Sequence, residues 1–380
     1  MVEVTRFEPR FLGAVADFYR DIWDPDATPE RVAGARAEAA AANLVSPGQD
    51  IPTFLFVQDG RVIGHLSTIP VRLHSHGLER SAHWFIGFMV RPEHRNGPVG
   101  FLLLKEAMRH LTLTLSLTVH PASRRLFASV GFRELGSLPN YLRVLEPARV
   151  MARLDPTTIG LGVGRPLLRL GVRLAALPGV AAMGGVAVRG AQGLWTWALG
   201  RQEGAGRLRA GEGAPEGPEL DDLWRRTCPA LGIGAVRDAA YLRWRYYATA
   251  EGRYRTVTLH EEGRLVGVAM VRVPRAEGDP RLRGIRVATL SDLVFDPGSS
   301  GAGLALVEGA ERSAHELGAD ALLASVSHGV VARLLRRRAY IRLPGNLHFL
   351  VRDATGALPG GTPLSDWWIT RGDMNADEVF

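Results

Sequence analysis

The same order of segments occurs twice along this chain of 380 residues. Three spacings agree between the two copies: Gly60–Gly100 with Gly263–Gly303 (forty residues), Gly60–Gly64 with Gly263–Gly267 (four), and Phe132–Tyr141 with Tyr340–Phe349 (nine). Three matched intervals between corresponding segments are unlikely to arise by chance. A chain of this length is also longer than a domain with a single hydrophobic core usually is. The sequence therefore predicts an internal duplication of one structural unit.

Each copy has the pattern of a mixed α/β unit. Residues 53–58 (TFLFVQ) have strand composition, and the Asp59–Gly60 pair that follows is typical of a hairpin. The second copy begins its strands at residue 254 and repeats the order. For both we predict two helices, three antiparallel strands, a glycine-bearing loop, a helix, a strand, a helix and a final strand. The predicted fold class is α/β, of the α+β mixed-sheet kind.

A tight loop joins the third strand to the next helix in both copies. It reads VRPEHRNGPVG over residues 90–100 and GSSGAG over residues 298–303. A glycine-bearing turn between a strand and a helix leaves several backbone N–H groups aimed at one point. Such a turn suits an anion such as a pyrophosphate.

Composition narrows the class of protein. Hydrophobic residues make up 46% of the chain and charged residues 22%, which is typical of a soluble globular protein. The single cysteine, Cys228, excludes an internal disulfide framework and a cysteine-rich metal site, and we expect no metal. The N-terminal stretch is charged and lacks the apolar core of a signal peptide, so we expect a cytoplasmic location.

The net charge of +7 raises the question of nucleic-acid binding. The cationic side chains are nearly all arginine, since Lys105 is the only lysine, and they are spread along the chain. The one dense cluster, residues 336–338 (RRR), adjoins a helical apolar pattern and is typical of a solvated helix face. We therefore expect no specific nucleic-acid site.

The segment between the copies differs in character. Residues 174–188 are uncharged, but a membrane span needs about 20 uninterrupted apolar residues, and this run has fifteen and contains Pro178. The pattern favours short helices packed between the halves over an interfacial helix, through residues 174–200, that touches a membrane or a lipid substrate. The tail carries Trp367 and Trp368, which we expect to be buried. The predicted boundaries are 1–147 (first domain), 148–218 (helical and flexible linker), 219–353 (second domain) and 354–380 (tail).

With these loops in place, each half resembles a GNAT-superfamily acyltransferase domain, over about residues 1–145 and 215–353. The family's most specific segment is Arg or Gln, two residues, Gly, one residue, then Gly or Ala. Its positions are held by Arg95, Pro98 and Gly100 in the first copy and by Gly298, Gly301 and Gly303 in the second. Backbone amides of this turn bind the pyrophosphate of acetyl-coenzyme A in the family. The resemblance thus implies acetyl-CoA or another acyl-CoA as cofactor, bound by Val90, Arg91, Arg95, Asn96, Gly97, Val99 and Gly100 and, in the second copy, by Gly301 and Gly303.

The catalytic groups are less clearly implied. The family usually has a tyrosine that protonates the departing thiolate, and Phe127 and Leu335 hold its place here. Histidine as a residue type can take a proton near neutral pH, and His120 stands at the end of the fifth strand. Asp292 is the one carboxylate on the fourth strand of the second copy, where it needs a partner such as a substrate amine or Arg286.

The resemblance implies an acyl-CoA-dependent N-acyltransferase with a small-molecule or peptide amine as acceptor. We expect the first copy to bind the cofactor, because it keeps Arg95 and its terminal Gly131–Phe132, and the second copy to support it. Two alternatives remain open. One is a non-catalytic tandem pseudoenzyme or ligand-binding scaffold, and the other is an aminoacyl transferase of the cell-wall peptide-bridge type.

Overall fold

The computed structural model describes residues 2–118, 120–153, 178–199, 208–248, 252–374 and 377. The chain divides into two compact units. Unit 1 comprises Met1–Ser137, Ile233–Val236 and Asn346–Leu364, and unit 2 comprises Leu138–Gly232, Arg237–Gly345 and Ser365–Phe380.

The described elements follow the predicted order in both halves, with one additional strand ahead of each. The second half has two more strands, one between its first two helices and one after its final predicted strand. The first half contains β1 (Val2–Arg6), α1 (Leu12–Ile22), α2 (Pro29–Ala41), β2 (Thr53–Gln58), β3 (Arg61–Ser75), β4 (Leu78–Val90), α3 (Val99–His110), β5 (Leu113–Thr118), α4 (Pro121–Ser129) and β6 (Arg133–Val144). Between the halves lie α5 (Pro147–Arg153) and α6 (Pro178–Leu199). The second half contains β7 (Leu208–Glu212), α7 (Gly217–Thr227), β8 (Ile233–Ala235), α8 (Ala239–Leu242) with a π-helical turn (Arg243–Tyr247), β9 (Tyr254–Glu261), β10 (Arg264–Arg272), β11 (Val287–Phe295), α9 (Ala302–Glu316), β12 (Ala321–Ser325), α10 (Gly329–Arg337), β13 (Ile341–Asp353) and β14 (Trp367–Trp368).

Unit 1 is built on a sheet in the order β1-β2-β3-β4-β5-β13. Its neighbours are antiparallel except β4 and β5, which run parallel. One face packs against α3, where Gly64 is needed because a Cβ there would lie 2.7 Å from both Leu103 and Val99. The other face packs against α1 through Val15 and Phe18. The sheet is therefore covered on both faces, as a mixed sheet with buried central strands requires.

Unit 2 repeats this arrangement, with a sheet in the order β6-β12-β11-β10-β9-β7. Here β11 and β12 are the parallel pair. The apolar face of α9 is buried almost along its length, from Ala302 to Ala314. The parallel pair, with a loop and a helix after its first strand, thus occurs once in each unit.

The last strand of each unit comes from the other half of the sequence. In unit 2, β12 pairs antiparallel with residues 140–144 of β6. In unit 1, β5 pairs antiparallel with residues 348–353 of β13. The units therefore do not follow the contiguous domains predicted at 1–147 and 219–353, and the tail predicted at 354–380 is divided between them after Leu364.

The segment predicted as a flexible linker contains a strand. Residues 208–212 form β7, which pairs antiparallel with β9 despite their glycine-rich surroundings. Residues 178–199 form one helix of 22 residues where the sequence favoured short helices, and residues 154–177 lie outside the described part of the chain. Within the described residues, no helix has the length and apolar character that a membrane crossing requires.

Candidate active site

In unit 1 a cavity of about 640 Å³ opens where the parallel strands part. β4 and β5 are paired at His83 with Thr114 and at Trp84 with Leu115. Beyond this point the end of β4 and the first turn of α4 form two walls of the cavity, and the loop after β4 with the start of α3 closes one end. The lining residues are Phe88, Met89, Val90, Arg95, Gly97, Gly100, Phe101, His120, Ala122, Ser123 and Leu126.

The closed end of the cavity presents backbone donors. Helix α3 begins at Val99, and its first intrahelical bond runs from the N–H of Leu102 to the carbonyl of Pro98, 2.9 Å away. The N–H groups of the three residues before Leu102 therefore precede the hydrogen-bond ladder, as at any helix start. Gly100 and Phe101 lie on the cavity wall, so this helix end offers donors and the positive end of the helix dipole to an anion.

Gly100 allows close packing at the same place. A Cβ on Gly100 would lie 3.0 Å from Leu126 and 3.2 Å from Phe88, so a side chain there would crowd both neighbours. The glycine therefore lets the start of α3 approach α4 and the end of β4.

Arg95 supplies the cationic side chain of this cavity. Its guanidinium Nε donates to the carbonyl of Val90, 3.1 Å away, which turns the side chain back towards the end of β4. The residue is exposed and lines the cavity. The cavity thus brings together four residues that were predicted from the loop sequence: Val90, Arg95, Gly97 and Gly100. Their binding of a cofactor stays a prediction.

Three further predicted cofactor contacts point elsewhere or lie off the cavity wall. The side chain of Arg91 is buried on the α1 side, where it donates to the carbonyl of Val62 and pairs with Asp21 at 2.7 Å. Val99 is 4% exposed and packs in the core, so only its backbone can face an anion. Asn96 is exposed in the loop outside the residues that line the cavity.

His120 stands at the first turn of α4, on the cavity wall. Its Nδ1 accepts a hydrogen bond from the N–H of Ala122, 3.2 Å away, and so caps the helix. A neutral imidazole whose Nδ1 accepts carries its proton on Nε2. His120 therefore offers an N–H donor to the cavity rather than the proton acceptor predicted from its position.

Phe127 occupies the place of the usual tyrosine, but it faces the core. Its ring centroid lies 4.9 Å from that of Phe132 and 6.1 Å from that of Phe85, and the residue is 2% exposed. In unit 2, Leu335 is fully buried. Neither position presents a polar group to a substrate.

A hydrogen-bonded chain behind β4 was not predicted from the sequence. The Nδ1–H of His65 donates to the carbonyl of Gly87 at 2.8 Å, and the hydroxyl of Tyr19 donates to Nε2 at 2.9 Å. Gly87 has φ +56° and lies beside the β3–β4 register shift, two residues before the cavity-lining Met89. Burial lowers the pKa of His65 to about 4, so the ring is neutral at pH 7 and both bonds keep this direction. The hydrogen bonds that link Tyr19, His65 and Gly87 thus fix the backbone at the bent end of β4.

In unit 2 the corresponding gap holds the chain's own tail. β11 and β12 are paired as far as Leu290 and Ala324. Beyond this point, Gly372 donates to the carbonyl of Ser291 at 2.8 Å, and Ser327 donates to the carbonyl of Ile369 at 3.0 Å. Residues 367–373 therefore lie between the diverging strands, and the expected burial of Trp367 and Trp368 is confirmed at 0% and 2% exposure.

Asp292 belongs to the contacts that fix this tail. Both of its carboxylate oxygens accept from Nε of Arg237 at 2.9 Å, and Arg237 also donates to Asp373 of the tail at 2.8 Å. Tyr246 donates to Asp292 as well, at 3.2 Å. Asp292 is 1% exposed, and burial raises its pKa. The partner is Arg237 rather than Arg286, and this geometry favours an interior structural role for Asp292 over the predicted catalytic one.

The loop between β11 and α9 of unit 2 carries an aspartate at a position where the matching loop of unit 1 has an arginine. Asp296 takes the position of Arg91, since each donates its N–H to the matching carbonyl of the neighbouring strand, Val266 or Ile63. Arg91 precedes Gly100 by nine residues, whereas Asp296 precedes Gly303 by seven. The carboxylate of Asp296 accepts a hydrogen bond from the backbone N–H of Gly298 at 2.8 Å. A negative side chain of the chain itself therefore already uses one of the backbone N–H groups of this loop.

The two predicted glycines of this loop have structural reasons to be glycine. Gly301 has φ +80° at the start of α9, which favours glycine. A Cβ on Gly303 would lie 2.6 Å from Leu334 and 3.1 Å from Phe295. Both therefore serve helix placement, and cofactor contact through them stays a prediction.

Comparison with known proteins agrees with this architecture. Residues 15–132 match the model of the acetyltransferase (GNAT) family, and no curated protein matches the sequence. The chain is similar in structure to a probable N-acyltransferase of unknown function from Enterococcus faecalis, with 12% identity and a TM-score of 0.57 over 93% of this chain and 73% of that one.

Two further solved structures share the fold over 93% of this chain. One is a GCN5-related N-acetyltransferase from Anabaena variabilis, with 10% identity, 73% of that chain covered and a TM-score of 0.56. The other is the N-myristoyltransferase of Saccharomyces cerevisiae with bound myristoyl-CoA, with 12% identity, 79% of that chain covered and a TM-score of 0.50. The chain is therefore a GNAT-fold protein, and its residues 15–132 carry the match to the acetyltransferase (GNAT) family.

Proposed function

We propose that the chain is an acyl-CoA-dependent N-acyltransferase whose cofactor binds in the cavity of unit 1. The observation that carries the proposal is the cavity between the parting strands β4 and β5, with Arg95 and the start of α3 at its closed end. Its volume of about 640 Å³ lies within the range of small-molecule sites, roughly 300–1,000 Å³.

The residues present fit such a cofactor. The N–H groups at the start of α3 and the guanidinium of Arg95 would hold the phosphates. Phe88, Val90 and Leu126 would give an apolar wall to the pantetheine arm. When bound, acetyl-CoA or another acyl-CoA supplies a thioester carbonyl that an amine can attack.

Acyl transfer forms a bond between the amine nitrogen and the acyl carbon, breaks the carbon–sulfur bond, and moves one proton overall from the amine to the thiolate. Phe127 has no hydroxyl to supply a proton. A neutral imidazole is too weak an acid to protonate the thiolate, so we assign to the Nε2–H of His120 a hydrogen bond that stabilises the departing sulfur. In this scheme the proton of the amine passes to water, and water supplies the proton that the thiolate takes up.

Unit 2 supports the fold and does not bind cofactor. Its gap between β11 and β12 is filled by residues 367–373, and in its loop the carboxylate of Asp296 already accepts from the N–H of Gly298 and pairs with Arg226. One acyl-CoA per chain follows. The acceptor is a small-molecule or peptide amine, and the reaction takes place in the cytoplasm.

The test is the affinity of coenzyme A for Arg95→Ala and, as a control, Arg109→Ala. Arg109 is an exposed arginine at the far end of the same helix, paired with Glu106, so its loss changes the net charge equally. Loss of a charge-assisted hydrogen bond should weaken binding about tenfold to a hundredfold in the first variant only. Absence of binding to the unaltered protein would support the scaffold alternative. A requirement for aminoacyl-transfer RNA would support the peptide-bridge alternative.

A further inference from the structure

Helix α6 is held to unit 2 along one side only. Gly185 brings it close to α5, since a Cβ there would lie 2.9 Å from the backbone nitrogen of Ala148. Arg189 pairs with Glu146 at 2.7 Å, and the indole N–H of Trp195 donates to the carbonyl of Arg336 at 2.9 Å. The orientation of the helix about its axis is thereby fixed.

The opposite side of α6 carries large apolar side chains in solvent. Val186 is 73% exposed, Leu194 66% and Trp197 62%. Positions 186, 190, 194 and 197 follow one another at helical spacing, and Gly190 has no side chain, so Val186, Leu194 and Trp197 form one apolar stripe. A contiguous apolar stripe rimmed by polar groups is typical of an interaction surface.

Helix α6 and the helix beside it carry charge of one sign. The only charged residue of α6 is Arg189. On the adjacent helix α10, Arg333, Arg336 and Arg337 are exposed, and Arg336 is the residue whose carbonyl holds Trp195. The partner of this surface must therefore accept apolar side chains and carry negative charge.

An anionic lipid surface meets both requirements. Tryptophan sits at the boundary between headgroups and acyl chains, and arginines near it are attracted to anionic headgroups. Single-stranded RNA would also accept tryptophan and arginine. The aliphatic Val186 and Leu194 on the same stripe do not stack on bases, whereas they enter acyl chains, which favours lipid.

We propose that the α6 stripe (Val186, Leu194 and Trp197) and the exposed arginines of α10 (Arg333, Arg336 and Arg337) dock unit 2 on an anionic membrane surface. The helix lies in the plane of the interface, because no described helix can cross a membrane. This proposal does not depend on acyl transfer.

The test is flotation of the full chain with vesicles of phosphatidylcholine alone and of phosphatidylcholine with an equal amount of phosphatidylglycerol. Binding should occur only with phosphatidylglycerol and should weaken as salt rises. The double variant Leu194→Ser, Trp197→Ser should lose it. The triple variant Arg333→Gln, Arg336→Gln, Arg337→Gln should weaken it by about fivefold per arginine. Trp23→Ser, an exposed tryptophan of unit 1, is the matched control and should bind like the unaltered chain.

Coenzyme A affinity and thermal unfolding are measured on the same variants, so that loss of vesicle binding is separated from loss of folding and from failure of the proposed activity. Equal binding to both vesicles, or no binding to either, would overturn the proposal. So would binding of single-stranded RNA in preference to vesicles, or dimer formation that the Leu194→Ser, Trp197→Ser variant abolishes.

Discussion

The N–H of Gly372 donates to the carbonyl of Ser291, 2.8 Å away, at the point where β11 leaves β12. A Cβ on Gly372 would lie 2.7 Å from that carbonyl oxygen. Gly372→Ala should therefore lower the free energy of unfolding by about 1–3 kcal/mol, the usual cost of overpacking a filled interior. Gly360→Ala is the control, because nothing lies within 4 Å of a Cβ there. Equal denaturation midpoints for the two variants would show that the tail does not fill the gap.

The carboxylate of Asp292 is expected to act through stability. Asp292→Asn leaves the buried guanidinium of Arg237 without one of its two ion pairs, and breaking a buried pair costs about 3–5 kcal/mol. The exposed pair of Arg255 and Glu212 is the control, and Glu212→Gln should cost about 1 kcal/mol or less. Chemical denaturation measures both. A variant that keeps its stability and loses turnover would restore the catalytic role for Asp292.

His65 should make folding sensitive to acid. Its pKa is about 4 in the folded chain against an ordinary value of 6.5, chiefly because of burial, with Arg36 adding to the effect. The unfolded chain thus binds more protons between these values, and the stability that the neutral ring contributes is lost as pH falls from about 6.5 to about 4. The loss amounts to roughly 3 kcal/mol for a shift of this size. His65→Gln can keep both hydrogen bonds without titrating, so its stability should fall less over this window. Parallel profiles for the two proteins would contradict this assignment.

His120 should affect turnover more than cofactor affinity. Removal of a hydrogen-bond donor to the charge that develops in the transition state lowers kcat by about a hundredfold to a thousandfold. His120→Asn can still cap α4 through its side-chain oxygen, so the helix start should be preserved. Steady-state kinetics with a primary amine acceptor give kcat, and calorimetry gives the affinity for coenzyme A. A variant with unchanged kcat would remove His120 from the proposed mechanism.

The repeat and the position of the cavity follow from short-range signals. The turn at Asp59–Gly60 and the loop from Val90 to Gly100 are local features, because glycine and the residues beside it determine backbone direction. The element order in both halves was therefore predictable, and so was the grouping of Arg95 with Gly100.

The exchange of final strands was beyond such reasoning. β6 and β13 have ordinary strand composition, and nothing within either segment specifies its partner, since strand pairing depends on the whole sheet. The sequence likewise did not show towards which face of the sheet the side chains of Arg91 and Asp292 point. A shift of one residue in strand register moves a side chain to the opposite face. The apolar pair Trp367 and Trp368 predicted that this part of the tail is buried. It did not predict that the tail lies in the gap between β11 and β12.

The number of coenzyme A sites per chain tests the central claim most directly. Isothermal titration of coenzyme A into the full chain should give one site, because the cavity of unit 1 has the helix start and Arg95 while the gap of unit 2 holds residues 367–373. Arg95→Ala should weaken that one site. Two sites per chain, or a single site whose affinity is unchanged by Arg95→Ala, would contradict the account.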